Sequence, residues 1–383
     1  MRDVLERERS AGRHRVLDPF VGSGTVSLES EMAGLASIGL EAHPFIVRVA
    51  QAKHQWRAAP GAFEEYGRGV LAAADEIFVP IDDAPALIQK CFERESYSRL
   101  AALIQAWRER DDGSPLSELT WLAAISIIRS CSTAGTAQWQ YVLPNKEKKK
   151  VADPFDAFRE KVASMAADMR IRQHGPAGPP AIVANDDART CEAVDDGWAD
   201  LIITSPPYAN NYDYADATRL ELTVLGEIER WRDLHDVIRQ HLLPSCTQHV
   251  AKQRAETFEM LEDPLLDPIK PQIVQVCRKL ADLSTERKGR KAYHTLIAAY
   301  FRNMARVWKQ LRRVTAEGGR VCFVVGDSAP YGVYVPVDEW LGELAVASGF
   351  NAYSFEKTRD RNVKWKNRKH RVPLHEGRLW VEG

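Results

Sequence analysis

Arg15 to Leu17 runs without a break into DPFVGSGT (Asp18 to Thr25) and then into VSLESEMAGLA, where Val26, Leu28, Met32 and Leu35 are apolar at helical spacing. A strand that turns through glycines directly into a helix opens an α/β sheet, and it confines the chain to folds built on such a unit. Gly22 and Gly24 let backbone amides approach a ligand with no Cβ in the way. Taken alone, the turn fits a nucleotide site, a dehydrogenase or a plain structural turn. A second short strand, Ser37 to Glu41, ends in an acid at about the 20-residue spacing at which a carboxylate reaches ribose hydroxyls. A solvated acid at a strand end is the plainer reading of Glu41. HPFIVRVAQAKHQW follows as a helix.

The same alternation returns later in the chain. AIVANDD and Asp200 to Thr204 read as strands, Ala292 to Arg313 as a helix, GGRVCFVVGD as a turn and a buried strand, and Val335 to Ser348 as a helix. Asn351 to Phe355 and Arg378 to Val381 close the series as strands. Alternating elements predict an α/β fold with a doubly wound, Rossmann-like, mostly parallel sheet and helices on both faces. Two helical stretches interrupt it. The expected division is 1–61 as the first part of the core, 62–180 as a helical insertion, 181–214 as core, 215–291 as a second helical insertion and 292–383 as the C-terminal part of the core. No strand is expected in the first insertion, which turns at Asp111 to Pro115 and Leu143 to Pro154 divide. The insertions are the candidate lid or target-recognition elements.

Composition narrows the class. A charged fraction of 27% and a hydrophobic fraction of 45% are those of a globular protein, so disorder is not expected. The six cysteines include no Cys-x-x-Cys pair, and neither a disulfide framework nor a metal site is expected. The N-terminus has no apolar leader and no apolar run is long enough to span a bilayer, which predicts a cytoplasmic protein without a membrane partner. A net charge of -1 hides a strong local bias: Lys357 to Arg371 carries eight Lys or Arg against one Asp. Lys357, Arg359, Arg361, Lys364, Lys366, Arg368 and Lys369, with Trp365 among them, form the mixture expected to grip phosphates and stack beside bases. A solvated loop is the bland alternative.

SPPY (Ser205 to Tyr208) follows a strand at once. Two prolines hold φ near -65° and withhold their amides, so the carbonyls of Ser205 and Pro206 can stand rigidly outside any ladder. Such carbonyls, with the Ser205 side chain, can accept hydrogen bonds from a planar amino group and aim its lone pair at an electrophile. Tyr208 offers a face on which an extruded base can stack. Asp187, with Asp186 as its competitor, is placed after its strand to meet an adenine amino group.

DPFVGSGT together with ADLIITSPPY resembles the amino-methyltransferases that modify DNA at adenine N6 or cytosine N4. The resemblance spans Arg13 to Trp56 and Ile182 to Gly383; the first insertion lies outside it and the second interrupts it. It implies S-adenosylmethionine as cofactor and DNA as partner. By the resemblance, Asp18, Phe20, Gly22 and Gly24 would line the methionine side of the cofactor, with Pro19, Ser23 and Thr25 also cofactor-binding, Glu41 would meet its ribose and Asp187 its adenine, while Ser205, Pro206, Pro207 and Tyr208 would hold the target base. In that family a Ser before the diproline is commoner in cytosine-N4 enzymes, and Asn or Asp in adenine-N6 enzymes. Transfer would be direct, with no covalent enzyme intermediate and no metal. The cofactor motif precedes the catalytic one, whereas many relatives with DPFxGSGT have the reverse order. Only 17 residues precede Asp18, where family members of this order carry a segment over the cofactor. The expectation is either that the start is truncated or that an additional subunit or an insertion closes the pocket. The same diproline chemistry serves amino-methylation of RNA and of glutamine amides in proteins, and a non-catalytic DNA-binding or partner-docking module is the alternative of a different class.

Overall fold

The computed structural model describes residues 2–137, 141–210, 212–286, 291–361 and 372–383. Nine strands are described: β1 (Arg15–Asp18), β2 (Ala36–Glu41), β3 (Ala134–Thr136), β4 (Val142–Glu147), β5 (Ile182–Asn185), β6 (Ala199–Thr204), β7 (Thr315–Gly326), β8 (Ala352–Arg361) and β9 (Leu374–Glu382). Seven of them form one sheet in the order β5-β2-β1-β6-β7-β9-β8. The pairs from β5 to β7 are parallel, and β7, β9 and β8 pair antiparallel. The chain winds outward from β1 through β2 to β5, then returns to lay β6 on the other side of β1. The fold is therefore Rossmann-like, with its topological switch point between β1 and β6.

The chain divides into two compact units, one of residues 1–47, 178–213 and 240–383 and the other of 48–177 and 214–239. In the first unit the strands alternate strictly between two cores. Leu17, Ile202, Val321, Phe323, Leu379 and Val381 face a large cluster built with the helices Lys270–Glu286, Tyr293–Val314 and Val337–Ala347. Their neighbours Val16, Leu201, Ile203, Cys322 and Trp380 face a smaller one, closed by Val4 and Leu5 of the helix Arg2–Ser10 and Val26 of the helix Thr25–Met32. Both faces are thus apolar, as a sheet covered on two sides requires. Trp308 stacks on Phe323 at 4.5 Å between ring centroids. Burying each such side chain contributes about 1.5–3 kcal/mol.

The second unit is built on the helices Pro60–Ala74, Arg94–Arg110, Pro115–Cys131 and Pro154–Gln173. The turn signals of the sequence become caps: Ser114 accepts from Ser117 N, Asp153 from Phe155 N and Asp156 N, and each is followed by Pro at the first helical position. Arg129 pairs with Glu221 at 2.5 Å and so ties the segment after residue 214 into this unit. One expectation for this region is corrected: β3 and β4 form an antiparallel pair inside the stretch read as strand-free. Pro144 and Asn145 in β4 mimic a turn, and a three-residue partner carries too little alternation to register as a strand.

The long closing strands are a second difference. β8 and β9 run well beyond the four or five residues expected, because their antiparallel pairing, shifted in register once between Lys357 and Arg359, takes in even the charged residues of β8. No helix among the described residues is long and apolar enough to cross a membrane.

One position ties the glycine turn to the sheet. Gly39 of β2 pairs with Asp18, and Val21 lies over it: an added Cβ would stand 2.5 Å from Val21 Cγ2. Gly39→Ala should destabilise the chain by about 1–3 kcal/mol in urea unfolding, and a second change, Val21→Ala, should restore part of the loss. An unchanged midpoint for the single variant would contradict this packing.

Candidate active site

Hydrogen bonds link the carboxyl ends of β5, β2, β1 and β6 in turn along one rim of the sheet, which includes the switch point. Asp18, the last residue of β1, is buried, and its Oδ1 accepts from Phe20 N at 3.0 Å and from Thr204 Oγ1 at 2.5 Å. Thr204 ends β6 and immediately precedes Ser205. A single hydrogen bond therefore brings the glycine turn and the diproline loop side by side. Burial pushes the Asp18 carboxyl up to about 7, against the pull of the Thr204 and Phe20 donors, and the neighbouring charge of Glu41 adds to the rise.

The turn itself is shaped by backbone freedom. Gly22 and Gly24 stand at φ +51° and +86°, in the left-handed region that side chains avoid. Gly24 N closes on Val21 O and Gly24 O accepts from Leu28 N as the helix begins. Pro19 is buried, Phe20 packs half-buried on the large core, and Ser23 and Thr25 are exposed on the turn. At the end of β2, Glu41 Oε2 accepts from Gly22 N at 3.1 Å and Oε1 from His43 N at 2.9 Å. Burial raises the Glu41 carboxyl above its ordinary range, with the backbone donors opposing it. With Ala42 N as a third backbone donor, the carboxylate keeps one acceptor site for a ligand hydroxyl.

Asp187 is engaged rather than open. Arg189 folds back on it, with Nε 2.8 Å and Nη2 2.5 Å from Oδ2, and the same guanidinium donates to Asn303 Oδ1 and His241 O. Asp186 accepts from Asp187 N and Ala193 N, and its own amide donates to Glu41 O, joining the ends of β5 and β2. Arg189 has no signal in the sequence, since a basic residue two positions after an acid is commonplace.

In the diproline loop Ser205 is exposed, Pro206 buried, and Pro207 and Tyr208 half-buried. Ser205 Oγ lies 3.5 Å from Val324 O of β7. Burial pushes the Tyr208 hydroxyl up to about 12; Glu376 and Ser205 are its hydrogen-bonding neighbours, and Arg361 lies 5.2 Å from its ring centroid. Arg361 also donates to Asp327 O at 2.7 Å. Of the basic residues singled out in the sequence, Lys357 pairs with Asp360 and Arg359 with Glu376 on the edge strand β8. Arg361 turns toward Tyr208. Lys364, Trp365, Lys366, Arg368 and Lys369 lie outside the described residues. Glu376 lies far along the chain from the loop it serves, so no local pattern could have announced it.

No protein-family model matches the chain. Over 157 residues, 40% of this chain, it is 34% identical to Type II methyltransferase M.AvaI of Nostoc sp., and equally to the protein of that name from Anabaena variabilis. Against Type II methyltransferase M.BsoBI of Geobacillus stearothermophilus the identity is 24%, taking in 88% of this chain and 72% of the relative. The chain is similar to Type II methyltransferases. The matched stretch spans 31% of the length of the M.AvaI proteins. Neither these relatives nor the described residues support the additional subunit. The residues before Asp18 pack the helix Arg2–Ser10 against the sheet.

Thr204 is the residue that sequence reading passed over, although it stands in full view before SPPY. Thr204→Val removes the hydroxyl donor and should leave Asp18 at least about tenfold weaker as an acid in a carboxyl NMR titration. An unmoved titration would show that the bond carries nothing.

Proposed function

We propose that the chain is an S-adenosylmethionine-dependent DNA methyltransferase acting on an exocyclic amino group, with cytosine N4 as the favoured target, in a restriction-modification setting. The observation that carries this reading is the Thr204–Asp18 hydrogen bond, which makes neighbours of a glycine cradle and a diproline loop. Similarity to Type II methyltransferases supports it, and Ser205 before the prolines favours cytosine over adenine.

The cofactor, when bound, supplies an electrophilic methyl group. The chain's own residues do the rest. Glu41, with an acceptor site to spare, accepts from a ribose hydroxyl, and the open glycines let backbone approach the ligand. Asp18 provides a buried carboxylate for the positive end of the ligand. Asp187, with Arg189 released or shared, or Asp186, meets the adenine. The target base leaves the duplex, stacks on Tyr208 and presents its amino group to the carbonyls of Ser205 and Pro206, which orient the nitrogen lone pair. Lys357 and Arg359 on the exposed edge strand, with the basic residues that follow, meet the phosphates.

Digestion and mass spectrometry of DNA from cells expressing the chain should reveal N4-methylcytosine; N6-methyladenine would move the target to adenine, and methyl transfer to RNA or protein alone would overturn the DNA assignment. The electrostatics of Asp18 add a second test. Burial pushes its acid up to about 7 and the cationic ligand favours the ionised form, so affinity for S-adenosylmethionine should rise as pH increases through about 7. Asp18→Asn keeps an oxygen to accept from Thr204 and Phe20, and should weaken binding at pH 8 by at least about tenfold and flatten its pH dependence in calorimetry. Equal affinity in the variant would remove Asp18 from the site.

A further inference from the structure

The diproline loop is held at its far end as well as its near end. Ser245 Oγ donates to Tyr212 O at 2.9 Å, and one residue on, Asp213 Oδ1 lies 3.1 Å from His249 Nε2. Both side chains of that pair are nearly sealed from solvent, at 3% and 1% exposed. His249 Nδ1 in turn faces Leu243 O at 3.3 Å. A neutral imidazole has one N–H, yet here both ring nitrogens face acceptors, and only the doubly protonated ring can donate to each. Doubly protonated, the buried ring would satisfy both acceptors and set a positive charge against the Asp213 carboxylate, in a place the methyl transfer itself does not use.

Cys246 contributes a thiol beside them, at Cys-x-x-His spacing that the sequence reading overlooked, and the three donor atoms lie within 4.8 Å of one another. That is one donor short of a closed zinc site, and the nitrogen and oxygen are already bonded to each other. The observations therefore favour a proton over a metal ion.

We propose that His249 is a positioning residue: as an imidazolium it holds Asp213 and, with Ser245 on Tyr212, fixes the end of the segment whose start carries Ser205, Pro206 and Tyr208. The inference rests on the methyl-transfer reading above. Burial alone would push His249 down, but hydrogen bonds to Asp213 and Cys246 outweigh it and push the ring up to about 9. His43, two residues after Glu41, also faces Asp213, but burial pushes it down to about 3, so it stands neutral. For a histidine raised by its partner, the stabilising pair is fully present below the ordinary histidine value and is lost as pH rises through about 9. The loop should therefore loosen in alkali.

His249→Gln should lower kcat at pH 7.5 by about tenfold or more, with KM for S-adenosylmethionine and DNA within about twofold, because the base is bound but misaligned. The alkaline fall of kcat near pH 9 should disappear with it, and Asp213→Asn added to His249→Gln should cost little more than either alone. In the free chain, NMR should show the His249 ring titrating near 9 and moving lower in Asp213→Asn, a readout that needs no substrate. Should His249→Gln fail to fold, Ser245→Ala keeps the test alive: a several-fold loss of kcat with the alkaline limb in place supports the pin, and full activity overturns it. Wild-type methylation with an undiminished His249→Gln rate would overturn this proposal and leave the methyl-transfer reading standing. A wild-type chain that methylates no acceptor overturns both. Stoichiometric zinc whose chelation lowers kcat would replace the proton by a metal and overturn the assignment.

Discussion

A hydroxyl and a carboxylate meet where the sheet reverses its winding, and the rest of the site is organised by that contact. Asp18 ends β1 and Thr204 ends β6, strands far apart in the chain that become neighbours because the chain returns past β1 after laying β2 and β5. Parallel strands point their carboxyl ends to one rim, and at the reversal the two following loops diverge to leave a crevice between them. One of those loops is the glycine turn and the other the diproline loop. The 2.5 Å bond sets their separation, and because it is buried it operates at full strength rather than in competition with water.

The chemistry of the crevice follows from what is buried there. Asp18 and Glu41 both sit above their ordinary acid range because desolvation disfavours their charge, and the charge of Glu41 adds to the rise at Asp18. Backbone amides of Phe20, Gly22 and His43 offset part of that cost. Two under-solvated acids are a poor arrangement for stability and a good one for receiving a cation. The far end of the diproline loop shows the complementary arrangement, a buried acid that has already found its cation in His249. Between these anchors stands Tyr208, its hydroxyl beside Glu376 and its ring beside Arg361, so the ring is held in place.

The basic segment illustrates how charge counts mislead. Lys357, Arg359 and Arg361 read alike in the sequence, yet antiparallel pairing of β8 with β9 separates them: Lys357 and Arg359 stay exposed with acidic neighbours, while Arg361 is drawn inward to Asp327 O and Tyr208. A strand places successive side chains on opposite faces, and a shift of register between Lys357 and Arg359 changes which residues share one. Positive charge alone does not say whether a residue meets a phosphate or steadies a ring.

Local chemistry was legible from the residues themselves. A glycine turn after the first strand, turn signals ahead of helices, a diproline after an apolar strand and the alternation of strands with helices are short-range consequences of sterics, and they recur in the structure, though several strands run longer than expected. What the residues could not announce is anything that depends on return of the chain: the Thr204–Asp18 bond, the Arg189 clamp on Asp187, Glu376 beside Tyr208, and the His249–Asp213 pair. The β3–β4 hairpin belongs with these, since a three-residue strand is defined by its partner more than by its own side chains. Propensity acts over a few residues and tertiary packing over the whole chain, so the sequence by itself determined which loops could do chemistry, and only the folded sheet decided which of them stand together and what holds them in place.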